Sequence, residues 1–96
     1  MVRISSLSKE YLRVPVSTDV EPLADEVEFA FTDGAEPEEA DWSPAGWEPG
    51  GPPYQARALV GPGGDFELDD GLWFVWVRIT HGSEVPVMMA GFLEIT

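Results

Sequence analysis

The sequence predicts a small all-β domain, and three observations predict it. The first is the run Gly71-Leu72-Trp73-Phe74-Val75-Trp76-Val77-Arg78-Ile79-Thr80, the longest unbroken stretch of aromatic and β-branched side chains in the chain. The second is alternation within that run. Trp73, Val75, Val77 and Ile79 form one wholly apolar face, while Leu72, Phe74, Trp76, Arg78 and Thr80 form another that turns polar toward its end. The third is punctuation: turn signals rich in Gly, Pro and Asp recur at intervals of about ten residues. Together these predict an immunoglobulin-like β-sandwich of about seven short strands, with a small β-barrel as the alternative. The 96 residues make one domain, with residues 1–9 as an N-terminal arm or edge strand and residues 10–96 as the sandwich.

The other elements follow in order. Residues 1–9 mix apolar and hydroxyl side chains without a period. Tyr11-Leu12-Arg13-Val14-Pro15-Val16 is a strand with Leu12, Val14 and Val16 on one face, and Pro15, which has no N–H for a ladder, places it at an edge. Ser17 to Pro22 is a turn-rich connector. Glu26 to Thr32 alternates, with Val27, Phe29 and Phe31 inward and Glu26, Glu28, Ala30 and Thr32 outward. Asp33-Gly34 turns, and Glu36 to Asp41 reads as one helical turn started by Pro37, or as a loop. Trp42 and Trp47 stand five apart, a spacing that fits neither a strand face nor a helix stripe, so they read as two anchors of a bent segment. The Pro/Gly run after Glu48 is a loop. Tyr54 to Val60 is a strand with small Ala56 and Ala58 on its inner face, Phe66 and Leu68 mark a short strand, and Phe92 to Thr96 is the last one. Residues 81–91 read as a long apolar loop containing Val87, Met88 and Met89, either tucked under the sandwich or offered to a neighbour.

Charge and composition exclude several functions. Eighteen acidic residues against five basic ones give a net charge of −13. There is no basic patch to neutralise phosphates, so nucleic-acid binding is not expected, and anionic membrane surfaces are disfavoured for the same reason. No apolar run approaches the roughly 20 residues of a membrane span. Polar residues from Ser5 to Glu10 interrupt any signal-peptide core. With no cysteine there is no disulfide and no thiolate chemistry. His81 is the one histidine, and no serine or carboxylate at a recognisable spacing makes it part of a triad. Only calcium merits weighing as a metal, because Asp65, Glu67, Asp69 and Asp70 offer hard oxygens within six residues, but the spacing is not that of an EF-hand and a Gly/Asp turn explains it. No cofactor and no enzyme activity are expected.

The order of several motifs carries a resemblance. Tyr54-Gln55-Ala56-Arg57-Ala58-Leu59-Val60 precedes Gly61-Pro62-Gly63-Gly64. Leu68-Asp69-Asp70-Gly71 then leads into Val75-Trp76-Val77-Arg78-Ile79-Thr80, and Glu84-Val85-Pro86-Val87 and Gly91-Phe92-Leu93-Glu94-Ile95-Thr96 follow. With the Trp42…Trp47 pair, this resembles small structural proteins of actinobacterial tailed phages and prophages, over most of residues 10–96. The chain departs from that pattern at His81-Gly82, at Met88-Met89 and at Phe92, which makes residues 81–92 more apolar.

The resemblance implies a non-catalytic virion protein, assembled in the host cytoplasm and encoded near the capsid and head–tail connector genes. The first position it suggests is a minor capsid or decoration protein on the head shell, the second a component of the connector region. Its partners would be the major capsid protein or connector proteins, and its own copies in a symmetric assembly. The residues expected at such contacts are Ile4 and Leu7 of the arm, the anchors Trp42, Trp47 and Trp76, and Val87, Met88, Met89 and Phe92 of the apolar segment. An immunoglobulin-like adhesion or carbohydrate-binding module is the alternative from another class.

Overall fold

The computed structural model describes residues 2–18 and 21–96. Among the described residues eight strands form: β1 (Val2–Ile4), β2 (Glu10–Val16), β3 (Glu26–Thr32), β4 (Ser43–Pro44), β5 (Gly46–Trp47), β6 (Tyr54–Val60), β7 (Gly71–Thr80) and β8 (Val87–Ile95). They build a five-stranded sheet in the order β1-β8-β7-β3-β4 and a three-stranded sheet in the order β2-β6-β5. All pairings are antiparallel except β1 with β8, which is parallel. In the lettering of an immunoglobulin sandwich, β8, β7 and β3 take the places of G, F and C, and β2, β6 and β5 those of B, E and D. The fold is a β-sandwich.

Alternation built the core. Val27 and Phe29 of β3, Val75, Val77 and Ile79 of β7, and Leu93 and Ile95 of β8 point in from the larger sheet; Leu12 of β2 and Ala56, Ala58 and Val60 of β6 meet them in one buried cluster. No disulfide ties the sheets. Phe29, Phe31 and Phe66 form an aromatic group within it, with Phe31 and Phe66 edge to face at 5.1 Å between ring centres. As the proline requires, β2 lies at an edge, bonded among the described strands to β6 alone.

The structure corrects the sequence reading at three places. Phe66 and Leu68 form no strand: Phe66 makes one isolated bridge to Val60, with its N–H donating to Leu59 O at 3.1 Å and its carbonyl accepting from Gly61 N at 3.0 Å. The segment 81–91 is not a long loop, because β8 begins at Val87. Residues 39–41, within the stretch read as one helical turn or a loop, do make a short 3₁₀ turn, without a buried residue. Ala30 and Thr32, expected on an open outer face, are buried. Of the expected connector 17–22, residues 19 and 20 lie outside the described residues, as does Met1 of the expected arm. Within the rest of that arm Val2–Ile4 is an edge strand, with Ile4 opposite Ile95 and only 4% exposed, and a turn follows it.

The Trp42–Trp47 segment, read as a bent segment, bends from one sheet to the other. β4 pairs with β3 in one sheet and β5 pairs with β6 in the other, so the chain crosses the sandwich between them. Ala45, at the crossing, donates its N–H to Val27 O at 2.9 Å.

Two substitutions test this packing by urea unfolding. Leu93 is fully buried, so Leu93→Ala lowers stability by about 2–5 kcal/mol. Gly61 has φ +130°, and a Cβ there runs into the Ser8 carbonyl, so Gly61→Ala costs at least about 1–2 kcal/mol although it removes no contact. A Gly61→Ala midpoint equal to wild type would refute the close approach of the two backbones.

Candidate interaction face

Cross-strand partners share a face, so the β7 register assigns the outer surface of the larger sheet. Val75, Val77 and Ile79 are turned in, which turns Leu72, Phe74, Trp76 and Arg78 out. Opposite them on β8, Phe92 pairs with Phe74, Met89 with Trp76 and Val87 with Arg78. The register slips between Val75 and Trp76, where Gly91 and then Met89 are the successive partners and Ala90 is the extra residue. Without the bulge, Met89 and Phe92 would lie on opposite faces. With it they lie on the same one, and Met88 turns inward to pack against the core.

The result is one apolar surface. Leu72, Val87, Met89 and Phe92 are exposed, Val87 at 51% and Phe92 still at 38%, and half-buried Phe74 and Trp76 lie among them. Phe74 and Phe92 meet edge to face at 4.8 Å and 82°. Trp76 is the cross-strand partner of Ala30, and its Nε1 donates to Thr32 Oγ1 at 3.1 Å, so a large side chain adjoins both of those buried outer positions.

Toward β4 the same face becomes charged. Nε and Nη2 of Arg78 both reach Glu28 Oε1 at 2.9 Å, while Nη1 and Nη2 donate to the two oxygens of Glu39 at 2.9 and 3.2 Å. The Arg78 guanidinium also lies over the Trp42 ring, 4.6 Å from its centre. Its hydrogen bond and its charge hold the Glu39 carboxyl below the usual range. At the β1 edge, Glu94 pairs with Arg3 at 2.7 Å.

The expected contact residues therefore divide. Trp76, Val87, Met89 and Phe92 come together on this face, and Trp42 flanks it under Arg78. Ile4 belongs to the core and Met88 packs against it, so neither is an open contact. Trp47 also packs against the core and donates Nε1 to the Asp25 carbonyl at 3.0 Å. Leu7 is 90% exposed on the turn after β1. Leu72 and Phe74 complete the face; they were visible as the second apolar flank of the 71–80 run, but were not singled out. The four carboxylates considered for calcium do not converge: among the described residues no three acidic or histidine side chains gather into a metal site, and Glu67 instead accepts the Gly63 N–H at 3.1 Å.

His81 is not alone. Its Nδ1 lies 2.9 and 3.0 Å from the two oxygens of Asp25, at a groove of about 340 Å³ that Ile79, Pro86 and Met88 also line. Fifty-six positions separate the pair in sequence, so spacing could not reveal it.

Compared with protein-family models, with curated proteins and with solved structures, the chain matches none. What fold and face define is a class: a small acidic β-sandwich with an apolar outer sheet face flanked by an arginine–carboxylate cluster.

The hydrogen bond from His81 to Asp25, and then the Asp25 charge, raise the imidazole pKa above its ordinary value. The pair therefore stabilises the fold fully below about pH 6.5, and loses that contribution as pH rises through the raised value. In urea unfolding at a series of pH values, His81→Gln is expected to be less stable than wild type in acid and to approach it in alkali. A difference independent of pH would mean that the ion pair contributes nothing.

Proposed function

We propose that this chain is a non-catalytic structural protein that docks on an assembled protein shell through the outer face of its five-stranded sheet. The observation that carries docking is the cluster Leu72, Phe74, Trp76, Val87, Met89 and Phe92, apolar and in large part exposed on a chain of net charge −13. Aromatic and methionine side chains suit such a contact: rings bury much area with few rotamers to freeze, and methionine adapts to an irregular partner. The acidic excess complements a partner whose rim is basic, which steers encounter and makes it sensitive to salt.

The identity of the shell comes from the resemblance to small structural proteins of tailed phages. On that basis the partner is the major capsid protein, and the chain is a minor capsid or decoration protein of the head, located in the virion. A place at the head–tail connector, among connector proteins, is the second position. Repetition by symmetry would multiply a modest contact into stable occupancy.

Co-sedimentation with purified phage heads tests the reading. Wild type is expected to pellet with the heads, and less so as salt rises. Leu72→Glu with Phe92→Glu places two charges on exposed positions of the face and is expected to weaken binding by at least about tenfold while leaving the fold intact. Wild type that stays in the supernatant while known head components sediment would rule out the shell. Full binding by the double variant would move the contact to another surface.

A further inference from the structure

We infer that the groove beside His81 and Asp25 binds an aliphatic chain that ends in a primary ammonium group. The groove lies at one end of the sandwich, where the end of β2, the turn before β3 and the tip of the β7–β8 hairpin meet. Its volume of about 340 Å³ falls within the range of small-ligand sites, which begin at roughly 300 Å³. Val16, Pro22, Ile79, Pro86 and Met88 give it apolar walls, and Asp25, His81 and Glu84 are its ionisable groups.

The walls are tied together by the backbone. Ile79 donates its N–H to Pro86 O at 3.1 Å, and Asp25 donates its N–H to Pro22 O at 2.9 Å. The Asp25 carbonyl in turn accepts Trp47 Nε1 at 3.0 Å. A groove held in this way needs little ordering when a ligand enters.

Charge selects the ligand. His81 Nδ1 lies 2.9 and 3.0 Å from the two Asp25 oxygens, so Asp25 offsets the imidazolium. Glu84 is held beside His81 by backbone hydrogen bonds in both directions, at 2.9 and 3.0 Å, and adds a second carboxylate. One imidazolium therefore faces two carboxylates, and the groove is negative, more so once the imidazole is neutral. The net charge of −13 reinforces this at long range. An anion gains nothing here, and a neutral chain gains only the walls.

Hydrogen-bonding capacity points the same way. One imidazole nitrogen spans both Asp25 oxygens, whereas a carboxylate can accept about four hydrogen bonds. An ammonium brings three donors and no acceptor. The Asp25 side chain is only 19% exposed, so a hydrogen bond to it is partly shielded from water. An alkyl stem lying on Ile79 and Met88 with its charged head toward Asp25 and Glu84 satisfies both kinds of surface. This site is separate from the docking face, since Ile79 and Met88 pack toward the core.

The test is titration with n-pentylammonium, pentanoate and 1-pentanol, followed through the backbone amide resonances of Ile79, His81, Glu84 and Met88. Pentylammonium is expected to bind with a dissociation constant on the order of millimolar. It should bind at least about tenfold more tightly than pentanoate or 1-pentanol. Its affinity is expected to rise as the imidazole loses its proton, over a range in which the ammonium stays charged. By reciprocity the ligand should lower the His81 midpoint, read from the ring proton resonances. Glu84→Gln, at an exposed position, is expected to weaken pentylammonium about threefold while leaving 1-pentanol unaffected. His81→Gln should remove the pH dependence. Nα-acetyl-lysine methylamide separates two sources of the same chemistry. Equal affinity assigns the ligand to a lysine side chain of another protein, and no binding assigns it to a free amine; both uphold the inference. Pentanoate or 1-pentanol binding as tightly as pentylammonium overturns it. So do resonance shifts confined to other residues, unchanged affinity in Glu84→Gln, or affinity that falls as pH rises. None of these outcomes bears on binding to heads.

Discussion

The structure depends on the ladder between β3 and β7. Seven consecutive pairs join them, from Glu26 opposite Thr80 to Thr32 opposite Phe74, and β8 pairs along the other side of β7. Side chains alternate at a period of two, so this register decides at once which residues are core and which are surface. Val27, Phe29, Val75, Val77 and Ile79 go in together. A slip of one residue would turn that set outward and bring Trp76, Arg78 and Glu28 inside, leaving charges without water or an adequate partner. The hydrophobic pattern thus specifies the pairing as strongly as the hydrogen bonds do.

The same register creates the outer face, and the Ala90 bulge completes it. A regular strand would have divided Met89 and Phe92 between the two faces of the sheet. One extra residue between Gly91 and Met89 brings them to the same side, opposite Phe74 and Trp76. Bulges both re-aim side chains and bend a strand. Here the bulge adds two large apolar groups to a surface that already has three on β7, while Met88 fills the inner side. The aromatic contacts then hold the face in shape: Phe74 against Phe92, and Trp76 with its N–H on Thr32.

Charge is distributed so that the four arginines are already committed. Arg3 pairs with Glu94, Arg13 and Arg57 share Glu48, and Arg78 binds Glu28 and Glu39. Arg57 also lies over the Tyr11 ring, 4.2 Å from its centre, on the opposite sheet. These pairs organise the surface locally and leave most carboxylates uncompensated, so the far field of the molecule is acidic on nearly every side. The β7–β8 surface gathers exposed apolar side chains, with no charge among Val87, Met89 and Phe92. Contact with another protein is therefore most favourable where the charge is lowest.

Much of this was legible in the residues themselves. The all-β class, the inward faces of β3, β6 and β7, the edge position of β2 and the bend at Trp42–Trp47 follow from alternation, proline and spacing, which act within a few positions of the chain; that the bend crosses between the sheets does not. What was not legible depends on partners distant in sequence. The start of β8 was hidden because the bulge breaks its period, and a bulge is defined only against the neighbouring strand. Ile4 read as a contact until β1 was seen to pair in parallel with the far C-terminal end. His81 read as isolated because Asp25 approaches it only in the fold, and Leu72 and Phe74 read as one strand's flank until β8 placed Phe92 beside them. The sequence by itself determined the strands and the sign of the surface charge, since backbone preference and ionisation are local properties. Only the tertiary structure decided which apolar side chains share a surface and which edge remains uncovered, because both are set by pairing between segments remote along the chain.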